Sequence, residues 1–223
     1  MPTNSLIGFL GAAFLLLSGS APPDQIVHQT IGQPALFDAA AYDLRDGDLV
    51  FRQGRGLTSQ LILQASASAS FSHVGVIIMI DKAPFVVHAL PEENGEKNGV
   101  VIHSLARFAS PSEAAQIAVR RVATLGSEER GLIRQYVMSQ VGRPFDDSFV
   151  HSDDAEIYCT ELAIKALEEA GLDSINASVP PVTLPLLEEP VFTPNALSQW
   201  DALIDPRPKE TGADRPYQVT SAR

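Results

Sequence analysis

A chain of 223 residues with a formal net charge of −11 is long enough for one well-packed domain and short for two. Apolar residues make up 45% and charged residues 19%, which fits a globular chain. The acidity argues against binding the phosphates of a nucleic acid and disfavours an anionic membrane surface.

Residues 6–17, LIGFLGAAFLLL, form an apolar run ahead of the small residues Ser18, Ser20 and Ala21. The run is shorter than the roughly 18 residues that a membrane-spanning helix needs. Residues 1–21 therefore read as a secretory signal peptide or N-terminal apolar segment, and the protein as exported, periplasmic or extracellular. No Lys or Arg precedes Arg45, so the pattern lacks its positive n-region; an N-terminal anchor or a helix packed on the domain is the alternative. Membrane association is expected only through this segment.

Residues 22–43 read as a lead-in, 44–205 as the folded domain, and 206–223 as a frayed tail. Asp46-Gly47-Asp48 is a turn signal, and Leu49, Val50 and Phe51 a short buried strand. Thr58 or Ser59 is placed to cap a helix running to Gln64, and ASASAS after it reads as a loop. Residues 71–90, FSHVGVIIMIDKAPFVVHAL, read as a hairpin turning at Asp81 and Lys82. Strands are expected at residues 100–103 and 116–122. A helix follows Ser127, with Glu128 and Glu129 at its positive end, and stops before Gly142 and Pro144. Residues 143–156 read as a loop, 157–170 as a second helix closed by Gly171, and the proline-bearing remainder as an extended wrap with a short helix at 195–204.

Cys159 is the chain's single cysteine, so an exported protein would carry an unpaired thiol. Cys159, Leu162, Ala163, Ala166, Leu167 and Ala170 share one helical stripe, which turns the sulfur toward the core from the first turn. A buried cysteine can simply fill space. Alternatively, the helix N-terminus can stabilise a thiolate, the nucleophilic form. Asp153, Asp154 and Glu156 would oppose a thiolate if they faced it, so the functional reading requires a cationic partner.

Five histidines are candidates for that partner, and hairpin geometry ranks them. With Ile80 opposite Ala83 across a tight turn, His88 lies opposite Gly75 and on the same face as His73. The two imidazoles are then displaced by roughly 7 Å along the strands, with no glycine side chain between them. A looser turn involving Pro84 would shift this register.

These residues carry a resemblance. GDLVF (47–51), SHVGVII (72–78) and VVHA (86–89) resemble strand signatures of NlpC-type papain-like cell-wall peptidases. In that family the cysteine helix precedes the strands, whereas YCTELAIKAL (158–167) follows them here. This order resembles the circularly permuted papain-like amidases of the YaeF/YiiX type, as do GRPFDDSF (142–149) and TPNALSQWDALI (193–204). The resemblance implies an α+β, permuted papain-like fold with an antiparallel sheet or barrel packed on the helix that bears the nucleophile. It further implies Cys159 as nucleophile, His73 as base holding it as an ion pair, and His88 as the third, orienting residue. An oxyanion hole would come from the Cys159 N–H, with Tyr158 a contributor.

The activity so implied is that of a thiol hydrolase cleaving an amide in a cell-wall peptide or acyl amide, without a cofactor. Two alternatives stand beside it. A lipid-acyl hydrolase or acyltransferase, similar to lecithin:retinol acyltransferase, would show a long apolar tunnel ending at Cys159. A non-enzymatic binding module would keep Cys159 far from both histidines. No metal is expected, because His73, His88 and His103 lack a familiar ligand spacing.

Overall fold

The computed structural model describes residues 37–64, 69–92, 98–149, 155–183, 189–208 and 217–218. The N-terminal apolar segment, most of ASASAS, and Asp153 and Asp154 lie outside them. The strands are β1 (Leu49–Gly54), β2 (His73–Ile80), β3 (Ala83–Leu90), β4 (Gly99–Ser104), β5 (Ala114–Val122), β6 (Leu203–Ile204) and β7 (Tyr217–Gln218). The helices are α1 (Leu57–Gln64), α2 (Leu105–Phe108), α3 (Ser127–Ser139), α4 (Cys159–Glu169), α5 (Ile175–Ser178) and α6 (Pro194–Ser198).

All strand pairs are antiparallel, in the order β4-β3-β2-β1-β5-β6, with β7 also on β5. The sheet is open, with β4 and β6 at its two ends, so the barrel form of the expected fold is not adopted. Alternation along the strands sends their residues into two separate cores. Leu49, Phe51, Val74, Val76, Val87 and Ala89 join the apolar stripe of α4 on one face. Val50, Ile77, Val86, Ile117 and Val119 join Leu105 and Phe108 of α2 on the other.

The β2–β3 turn is the tight one. Asp81 and Lys82 both have positive φ, 49° and 68°, as a type I′ turn demands. Ile80 pairs with Ala83, and the register runs to Val76↔Val87. β1 starts behind the left-handed Gly47 (φ 80°), and the buried Asp48 after it accepts from Arg121 Nε at 2.7 Å and Nη2 at 2.7 Å. That bidentate pair ties the start of β1 to β5.

The C-terminal region departs from expectation in two places. The expected helix at 195–204 is only α6, capped by the Thr193 hydroxyl, which accepts from the Ala196 N–H at 3.2 Å. Leu203 and Ile204 instead pair with Val122 and Arg121. The stretch beyond residue 205 is not wholly frayed either, because Tyr217 and Gln218 pair with Ile117 and Gln116. Both segments satisfy the backbone groups that β5 presents on the side away from β1.

Candidate active site

Helix α4 begins where its sequence provides for the free amides of a helix start. Tyr158 is its extended N-cap (φ −100°, ψ 169°), and the buried Glu161 reaches back to accept from the Tyr158 N–H at 3.4 Å. Burial pushes the Glu161 carboxyl up, and Lys165, 2.8 Å away, pulls against that shift. Cys159 therefore sits at the first helical position, 6% exposed. The backbone N–H groups of Val74 and Thr160 are close enough to favour its thiolate, and Thr160 Oγ1 stands 3.9 Å from the sulfur.

The Val74 amide is available because the β2–β3 ladder ends at Val76↔Val87. His73 is the first residue of β2 and opposes Arg52 across the β1–β2 pair. By alternation His73, Gly75 and Ile77 share the α2 face, whereas Cys159 approaches from the α4 face. The two residue types meet only where the sheet runs out, at the start of β2.

The register that the tight turn sets also brings His88 to His73. Their rings stand at 75° with centroids 5.1 Å apart, and His73 Nε2 lies 2.8 Å from His88 Nδ1. The string continues to His103, whose Nδ1 lies 3.2 Å from His88 Nε2. Phe108 walls it in, 5.7 Å from the His73 ring and 5.0 Å from the His88 ring. All three histidines and Cys159 line one cavity of about 300 Å³, whose wall mixes Arg, Ser and His side chains with Ile62, Phe108, Phe145 and Phe149.

The electrostatics differ from the ion pair expected of Cys159 and His73. Burial pushes the thiol up, opposed by the Val74 and Thr160 hydrogen bonds and by Arg52. Burial, then the Arg52 charge, hold His73 well below the usual imidazole value. His88 is depressed by burial first and by His73 and Arg52 next. Burial thus favours the neutral thiol and the neutral imidazoles over their charged forms.

Two site residues escaped sequence reasoning. Arg52 lies over the Phe108 ring at 4.6 Å and donates to the Phe108 carbonyl at 3.3 Å, with Glu113 at 3.4 Å. Its signal was the alternation in LVFR, which gives Arg52 the face of Val50. His103 enters the sequence reading only as a metal ligand; its β4 register against β3 (Val86↔His103) brings it to His88. The hydroxyl of Tyr158, a residue expected to contribute to the oxyanion hole, accepts from the Phe192 N–H at 3.4 Å, and its ring packs on Phe149.

Strands that bear histidines, followed in the chain by a helix that begins at a cysteine, define a papain-like arrangement in permuted order. Residues 43–203 match the family described as permuted papain-like amidase enzyme, YaeF/YiiX, C92 family, and the chain belongs to it. Among its relatives, an uncharacterised protein, YiiX of Escherichia coli strain K12, is 28% identical over 178 residues, 71% of this chain and 84% of that one. The crystal structure of metalloprotein YiiX from Escherichia coli O157:H7 superposes with a TM-score of 0.57 at 27% identity, covering 72% of this chain and 94% of that chain. The family is one of cysteine hydrolases of the papain-like kind.

Proposed function

We propose that the protein is an exported cysteine amidase acting on a cell-wall peptide or acyl amide, with Cys159 as nucleophile, His73 as general base and His88 as orienting residue. The observation that carries this reading is the common cavity of Cys159 and His73, with the sulfur beside the amide next to that histidine. A thiol with a purely structural role gains nothing from such an opening.

His73 Nε2 is engaged by His88, which leaves Nδ1 for the thiol. Burial favours the neutral pair, and from it Nδ1 takes the Sγ proton as sulfur attacks the amide carbonyl carbon. The tetrahedral oxyanion then falls to the Cys159 N–H at the start of α4. As the C–N bond breaks, His73 returns the proton to the leaving amine, and a thioester remains. Water, deprotonated by the same nitrogen, hydrolyses it to a carboxylate and the free thiol.

The mixed polar wall of the cavity favours an amide or peptide over the long apolar tunnel that an acyl-chain enzyme would need. The solved E. coli relative is described as a metalloprotein. In this chain the two nitrogens of His88 face different histidines, so one ion cannot take the whole string. Among the described residues no group of three His, Cys, Asp or Glu side chains could hold an ion, and the steps above use only the chain's own groups.

The test is thiol alkylation by iodoacetamide together with hydrolysis of a panel of peptide and acyl amides, for the native chain, Cys159→Ala, His73→Ala and His88→Ala. Loss of His73 is expected to cost about 10²–10⁴-fold in turnover. A folded His73→Ala protein that alkylates and turns over like the native chain would sink the reading.

A further inference from the structure

His88 is completely buried, and each of its ring nitrogens faces another histidine: Nδ1 faces His73 Nε2 at 2.8 Å, and Nε2 faces His103 Nδ1 at 3.2 Å. A neutral imidazole has one N–H and one bare nitrogen. Where two neutral rings share one hydrogen bond, the tautomer of one therefore fixes that of the other. If His73 is to take a proton at Nδ1, its own proton must stand on Nε2, donated to His88 Nδ1. His88 must then hold its proton on Nε2 and donate it to His103 Nδ1.

An orienting carboxylate or amide would do this work alone, since its oxygen accepts in every state. An imidazole in that position accepts at Nδ1 in only one of its two tautomers, and the choice passes to whatever meets its far nitrogen. Here that is His103, half-buried on β4 on the same sheet face.

We propose that His103 is a positioning residue of this site: by accepting the His88 Nε2–H at its own Nδ1, it holds His88, and through it His73, in the tautomer that leaves His73 Nδ1 bare. The inference rests on the reading of Cys159 and His73 as the reacting pair. It assigns to His103 no contact with substrate or sulfur.

The test uses the full chain with ¹⁵N-labelled histidine, reading ring tautomers from long-range proton–nitrogen correlation spectra and thiol reactivity from iodoacetamide alkylation at neutral pH. The native protein is expected to show His73 and His88 both as Nε2–H tautomers. His103→Ala is expected to mix the His88 tautomers and slow alkylation about tenfold. His103→Asn, whose side-chain oxygen reproduces an acceptor near Nδ1, is expected to restore both. A native spectrum with the His88 proton on Nδ1 overturns the inference without any variant. So does a folded His103→Ala protein with native tautomers and rate, or an Asn variant as impaired as Ala. His73→Ala separates the two levels: if it slows alkylation while His103→Ala does not, only the role of His103 falls. If His73→Ala has no effect, the reacting pair itself falls, and the role of His103 with it.

Discussion

Gly75 and His88 approach so closely across β2 and β3 that a Cβ placed on the glycine would stand 3.1 Å from the His88 Cβ, and 2.3 Å from Val86 Cγ1. The glycine is thus the gap that lets β3 lie against β2 where the histidines meet. Gly75→Ala is expected to destabilise the protein by about 1–3 kcal/mol through overpacking, more than the chain-entropy benefit of alanine returns. It is also expected to slow thiol alkylation by separating His88 from His73. Urea denaturation and iodoacetamide rates measure the two effects, and a variant of native stability and native rate would contradict this account of the hairpin.

A neutral resting pair makes a definite claim about pH. Burial raises the thiol and lowers His73, so the thiolate forms only as pH climbs past the ordinary thiol value of about 8.5. The alkylation rate of the native protein is expected to rise with a midpoint above that value. Arg52→Gln is expected to move the midpoint higher still, since the guanidinium favours the thiolate. A plateau of fast alkylation extending well below neutral pH would instead indicate a preformed ion pair.

The hairpin register was readable in advance because Asp81 and Lys82 admit a two-residue turn and the flanking strands alternate cleanly. The stripe of α4 was readable because Cys159, Leu162, Ala163, Ala166 and Leu167 keep helical spacing. What local pattern could not supply was the meeting of two sheet faces. Cys159 belongs to the α4 core and His73 to the α2 face, and only the end of the β2–β3 ladder lets the sulfur reach the Val74 amide. His103 depends on the pairing of a third strand, and the Tyr217–Gln218 pairing spans about half the chain. The protonation of the thiol depends on burial, a property of the assembled fold. Tyr158 shows the same limit, since an aromatic N-cap gives no sign of whether its hydroxyl faces a cavity or the Phe192 amide.

Depressed histidines also shape stability. An imidazole with a folded pKa below its unfolded value of about 6.5 leaves the unfolded chain holding more protons below that pH. Stability from His73 and His88 is therefore complete above about pH 6.5 and lost as pH falls toward their folded values, by at most about 1.4 kcal/mol per pH unit for each. Glu161 acts in the opposite sense. Its raised pKa makes its contribution largest in acid and smaller as pH rises through the folded value, which opposes the histidine slope just above the ordinary carboxylate range. Denaturation midpoints from pH 7.5 to 5 are expected to fall for the native protein and to fall less for His88→Gln. Parallel curves for the two proteins would show that His88 titrates normally.

The last prediction concerns the aspartate of GDLVF, a residue that the sequence offered as part of a turn and of a strand signature, with no partner named. Asp48 is fully buried, with both oxygens on Arg121, one also accepting from the Arg45 N–H at 2.8 Å, and Arg130 Nη1 at 3.5 Å. Removing Asp48 leaves the largely buried Arg121 only the Asp43 carbonyl and the exposed Asp43 carboxylate at 3.9 Å, so Asp48→Ala is expected to cost about 3–5 kcal/mol. Replacing both partners by apolar groups removes the stranded charge, so Asp48→Ala with Arg121→Met is expected to recover part of that loss. The pair lies at the opposite end of β1 from Arg52, so a well-folded double variant is expected to alkylate at nearly the native rate. Urea denaturation of the single and double variants decides the point. If the double variant is no more stable than Asp48→Ala, the loss belongs to the other bonds of Asp48, to Arg45 and Arg130, and the stranded Arg121 charge is not its cause.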